Sequence, residues 1–145
     1  MIRTCPNCSA KNRLPLTRML DGPSCGKCKQ PLPPPALPVP IESGFDFRTM
    51  VRDSPVPVLV DFWAPWCGPC KAMAPEFERL AGELSGRVLL AKVNTDALPQ
   101  LGSEFQIRSI PTIILFKDGV EDNRITGAAS ASSIKQRLGL TQTDT

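Results

Sequence analysis

The stretch VDFWAPWCGPCKAMAP, Val60 to Pro75, changes character in its middle. Read back to Val56, its first half is a nearly continuous apolar run, VPVLVDFWA (56–64), rich in β-branched residues. Such a run predicts a central strand covered on both faces. Continued to Leu84, its second half spaces Met73, Phe77, Leu80 and Leu84 as the buried stripe of a helix over 67–84. Pro75 lies inside that helix, where it predicts a lost backbone hydrogen bond and a kink.

Cys67 and Cys70 stand where strand gives way to helix. At a helix start, free backbone N–H groups and the positive end of the helix dipole stabilise a thiolate, the form that attacks disulfides. The expected cycle has two steps. Cys67 attacks a target disulfide, then Cys70 attacks Cys67 and releases the reduced target. Gly68 and Pro69 suit the tight turn and early helical positions between them.

Cys70 must lose a proton for its step, and the chain has no histidine to take it. Asp61 is the candidate general acid/base: it is the one charge in an apolar strand, and burial would raise its pKa. The plain alternative is a surface aspartate at a strand edge. Lys92, lone in LLAKVN, is its candidate ionic partner.

Working outward, SGFDFRTMVRD (43–53) predicts a helix capped by Ser43, with Phe47, Met50 and Val51 on one face. RVLLAKVN (87–94) reads as a second buried strand. Asp96 is expected to cap a short helix with Pro99 in its first turn and Leu98, Leu101 and Phe105 inward. TIILFKDGVEDNRIT (112–126) reads as an antiparallel hairpin about an Asp-Gly turn. Gly127 breaks the chain before a last helix with Ile134 and Leu138 inward. The order α-β-α-β-α-β-β-α implies an α/β domain, a mixed sheet with helices on both faces.

Six of the ten residues from Pro31 to Pro40 are proline, which predicts an extended, stiff linker. It separates an arm, 1–30, from a body, 41–145. The arm carries six Lys/Arg against Asp21 alone, whereas the body is slightly acidic. A basic arm could meet nucleic acid, but its charge also balances metal-bound thiolates, and the latter is the expectation here.

The other four cysteines form two further C-x-x-C pairs, Cys5/Cys8 and Cys25/Cys28, with sixteen residues between the pairs. This is the spacing of a tetrahedral four-cysteine zinc site, with Gly26 expected to ease one turn. A four-thiolate iron site has the same ligands. An arm this short buries too little to fold alone, so metal would supply its folding energy. The N-terminus shows no apolar signal core and no run reaches the ~18–20 residues of a membrane span. The cytoplasm is the expected compartment, where thiols stay reduced and structural disulfides are a poor account of the cysteines.

The stretch VDFWAPWCGPCKAMAP, together with IPT (110–112) and Gly127, resembles the active-site region of the thioredoxin family. The resemblance covers the body from about residue 41. It implies a thioredoxin fold, protein-disulfide reductase activity, and a cis Pro111 opposite the active-site disulfide. It also implies an apolar docking surface of Trp66, Ile110, Pro111, Gly127 and Ala128, with Trp63 supporting the loop. Electrons would come from NADPH through thioredoxin reductase; targets would be disulfide-containing proteins, and nothing requires more than a monomer, a membrane or an organic cofactor. The whole arrangement of zinc arm, proline linker and body resembles the zinc-containing bacterial thioredoxins, in which the zinc would be structural or redox-sensing. The alternative is a zinc-dependent partner-binding module whose redox activity is secondary.

Overall fold

The computed structural model describes residues 2–15, 18 and 22–140; residues 1, 16–17, 19–21 and 141–145 of the expected arm and body lie outside them. In the arm, β1 (Ile2–Thr4) and β2 (Lys11–Arg13) pair antiparallel. The body holds β3 (Val39–Pro40), α1 (Gly44–Asp53), β4 (Val58–Trp63) and α2 (Gly68–Glu83). There follow β5 (Leu89–Asn94), α3 (Pro99–Glu104), the hairpin β6 (Thr112–Lys117) and β7 (Val120–Thr126), and α4 (Ala131–Leu138).

The apolar run becomes the middle strand. β4 lies between parallel β5 and antiparallel β6 in a five-stranded sheet of order β3-β5-β4-β6-β7. Successive side chains of a strand point to opposite faces, and two cores result. Val58, Val60 and Phe62 pack with Phe47, Met50 and Val51 of α1 and Leu101 of α3. Leu59 packs with Met73, Phe77 and Leu80 of α2 and Ile134 and Leu138 of α4. By this alternation Asp61 and Trp63 share Leu59's face, toward α2, as does Lys92 by its spacing from Leu90.

The expected caps and turns are mostly in place. Ser43 caps α1 by accepting from the Asp46 N–H, and α2 runs through Pro75 as one helix. Asp118 and Gly119 both have positive φ at the hairpin turn, the twist a two-residue hairpin favours. α3 departs from expectation. Its N-cap is Leu98, with no side-chain hydrogen bond, and Asp96 does not cap it. The Asn94 side chain accepts the Asp96 and Ala97 N–H groups instead, at 2.9 and 3.4 Å, which turns the chain before Pro99 opens the helix.

Val39 and Pro40 of the proline stretch join the sheet beside β5, a strand the sequence did not announce. Leu32 is buried among the arm cysteines. Between these anchors the Ser85 hydroxyl donates to the Pro35 carbonyl at 3.1 Å, holding the stretch against the end of α2.

Candidate active site and metal centre

Cys67 and Cys70 are joined as a disulfide with Cα atoms 5.3 Å apart. Their environments differ. Cys67 is the N-cap of α2, and its Sγ accepts the Cys70 N–H at 3.1 Å. It also lies 3.7 Å from the carbonyl oxygen of Ile110, whose bond to Pro111 is cis. Cys70 belongs to the buried stripe of α2, with Met73, Phe77 and Leu80, and so faces the sheet. The helix start thus presents Cys67 to the loop that carries Ile110 and Pro111, and Cys70 to the interface that holds Asp61.

Asp61 is 1% exposed, and neither carboxylate oxygen has a hydrogen-bond partner among the described residues. Burial pushes its carboxyl up to about 7, against the opposing pull of Lys92. The two are register partners on β4 and β5, while the Lys92 ammonium sits 4.7 Å from the centre of the Trp63 ring. An unfolded chain ionises this group near 3.8 and the folded chain near 7. The folded protein therefore holds the extra proton between those values and loses stability as pH rises through them, by about 4 kcal/mol in all. Asparagine resembles the neutral acid in shape. Asp61→Asn should thus stabilise the oxidised protein by about 2–4 kcal/mol at pH 8, and by little below pH 4. Denaturant unfolding across that range checks it; a gain that does not vary with pH would contradict the burial argument.

Around the disulfide, Trp66 is 70% exposed, and its Nε1–H donates to the Asp96 carboxylate at 3.3 Å. Pro111 is buried, Ile110 and Gly127 are half-buried and Ala128 is exposed. The Gly127 N–H donates to the Pro111 carbonyl at 2.8 Å, and φ of +97° at Gly127 is a backbone state that side chains disfavour. A groove of about 500 Å³ runs past Trp66 and Ile110 toward α3.

The arm brings Cys5, Cys8, Cys25 and Cys28 together with all four Sγ atoms within 4.8 Å of one another. The two knuckles repeat one conformation. Each first cysteine receives the N–H four residues on and donates its own to the carbonyl five on, Ser9 and Ala10 for Cys5, Lys29 and Gln30 for Cys25. Ser9 and Lys29 take the left-handed conformation, so Gly26, whose φ is ordinary, is not what turns the chain.

The sulfurs suit a metal. Cys5 and Cys28 lie 3.6 Å apart, and Cys8 and Cys25 3.7 Å. A zinc–sulfur bond of about 2.3 Å gives a tetrahedron with edges of about 3.8 Å. Backbone N–H groups of Cys28 and Lys27, then the Asn12 amide, hold the Cys25 thiol down to about 6. Asn7 and the Gln30 N–H lower Cys28 likewise. At Cys8 the lowering bond from Ala10 is outweighed by burial and the three neighbouring sulfurs, and its thiol is pushed up to about 11. Four thiolates this close ionise together only around a cation. Asn7 and Asn12 were not singled out by sequence, and Asp96 only as a helix cap; the one signal available for the asparagines was a carboxamide inside or just past the first C-x-x-C.

The thioredoxin family model matches residues 39–139, and a zinc-ribbon model described as Thioredoxin 2, N-terminal, matches residues 4–30. Thioredoxin C-3 of Corynebacterium nephridii is 43% identical over 95% of this chain and 93% of its own length. Thioredoxin 1 of Nostoc sp. is 48% identical over 63% of this chain and 86% of its own. A solved mutant thioredoxin from Halobacterium salinarum superposes with a TM-score of 0.68 at 28% identity, covering 75% of this chain and 94% of that one. With this fold, the disulfide at the start of α2 and a four-cysteine zinc ribbon before it, the chain belongs to the thioredoxin family as a protein-disulfide reductase that works through Cys67 and Cys70.

Proposed function

We propose that Cys67 is the attacking sulfur, Cys70 the resolving one, and Asp61 the group that takes the proton from Cys70. The observation that carries this is the buried, unpartnered Asp61 carboxylate on the sheet face against which α2 packs the Cys70 stripe. In the first step the Cys67 thiolate forms a bond to one target sulfur and the other leaves as a thiolate, which takes a proton. In the second, Asp61 accepts the Cys70 proton, the Cys70 thiolate attacks the Cys67 sulfur, and the second target sulfur leaves as a thiolate, which takes a proton in turn. The protein ends oxidised and the target carries two thiols. Lys92, on the adjacent strand, tunes Asp61 by its charge.

Targets dock on Trp66, Ile110, Pro111, Gly127 and Ala128; in support, the Ile110 carbonyl lies 3.7 Å from the Cys67 sulfur and the Gly127 N–H is bonded to the Pro111 carbonyl. Electrons return from NADPH through a thioredoxin reductase. The four arm cysteines hold one zinc ion in a structural role. The cytoplasm suits such a site, since it keeps thiolates reduced. Both reacting cysteines come from one chain, so a monomer suffices.

Single-turnover kinetics test the proton role. Asp61→Asn is expected to slow release of the reduced target about 10- to 100-fold while formation of the mixed disulfide changes little. Equal release rates in the two proteins would remove Asp61 from the mechanism.

A further inference from the structure

Trp66 is a large apolar ring standing 70% exposed beside Cys67 and tied down by its Nε1–H, which donates to Asp96. That partner is itself held. The Asn94 side chain accepts the Asp96 N–H at 2.9 Å, and the Thr95 hydroxyl and N–H both donate to the Trp63 carbonyl, at 3.0 and 2.8 Å. The turn after β5 is thereby stapled to the end of β4, and the indole bridges it to the loop that carries Cys67. Trp66 and Thr95 form one side of the groove that continues over Pro99 and Ile107 to Ile110.

We infer that Asp96 is a positioning residue for target docking, which pins the Trp66 ring so that the groove beside Cys67 exists before a target arrives. This rests on the docking role of Trp66 proposed above. An exposed side chain free to rotate must be ordered when a partner binds, and prior ordering removes that penalty from the binding step. The acceptor, not the negative charge, is what the indole N–H requires. Asparagine keeps an acceptor oxygen at this position, and alanine removes it.

The test compares Asp96→Ala, Asp96→Asn, Trp66→Ala and the Asp96→Ala/Trp66→Ala double variant, with insulin as the protein disulfide probe. Asp96→Ala should raise KM for insulin about threefold to tenfold, with the larger part of the change in KM rather than kcat. Its indole N–H resonance for Trp66 should move in the NMR spectrum. Asp96→Asn should return KM to within about twofold of the parent, and the double variant should be no worse than Trp66→Ala alone. An Asp96→Asn as impaired as Asp96→Ala would mean that charge acts and not the hydrogen bond, and would overturn the inference. So would a raised KM in Trp66→Ala with none in Asp96→Ala. An unchanged KM in Trp66→Ala would instead remove the docking role of Trp66 and this inference with it.

Discussion

Replacing Cys67 with serine should abolish turnover, on the order of a thousandfold or more, while Cys70→Ser should stop the reaction one step later. A serine hydroxyl is not ionised at neutral pH and cannot form the sulfur–sulfur bond that carries the intermediate. The structure separates the two sulfurs by position more than by exposure, since both cysteines are 4% exposed. Cys67, the N-cap of α2, lies against the carbonyl of Ile110, where a target chain would arrive. Cys70 faces inward with Met73 and Phe77. With Cys70 gone, the mixed disulfide on Cys67 has no internal thiol to resolve it, so covalent adducts with targets should accumulate and disappear on adding reductant. Intact mass spectrometry after exposure to insulin reads this directly. Adducts on Cys67→Ser instead of Cys70→Ser would reverse the order of attack.

Much of this was legible in the sequence because the signals were local and periodic. The β-branched run gave a strand buried on both faces, and the Met73–Leu80 stripe gave the face α2 turns to the sheet. The lone carboxylate in that strand is buried as its apolar neighbours required. The failures share a cause: several residues competed for one local role. Asn94 and Asp96 both suit the turn before α3; Asn94 took the backbone N–H groups, and the Asp96 carboxylate went to an indole thirty residues away. In the arm, glycine was the natural choice for the strained turn position, yet Ser9 and Lys29 occupy it because the sulfur geometry fixes where the chain must bend. The proline stretch reads as a free spacer by composition alone. Its anchoring by Leu32, Ser85 and Val39 depends on partners fifty or more residues distant in two of the three cases.

Removing the metal should unfold the arm and leave the body standing. Among the described residues, the apolar cluster of the arm consists of Cys5, Cys25 and, from the proline stretch, Leu32, packed with Cys8, Ala10, Leu14 and Cys28. Four of these seven are the proposed ligands, so without the ion the cluster becomes four crowded thiols around very little hydrocarbon. Binding a structural zinc ion supplies about 10 kcal/mol or more in small ribbons and fingers, which exceeds anything this cluster could provide by burial. The purified, reduced protein should contain about one zinc per chain and show two fast-reacting thiols, rising to six after chelation. Amide protection in β1, β2 and the segment 24–31 should vanish with the metal. Both tryptophans lie in the body, so their emission should still report a cooperative unfolding with a midpoint close to that of the intact protein. Val39 remains paired with β5 whether or not Leu32 has a core to enter, and this strand pairing should stop the unravelling. Protected arm amides after complete chelation would mean the hydrocarbon alone holds the arm, and the metal site would then be incidental to its fold.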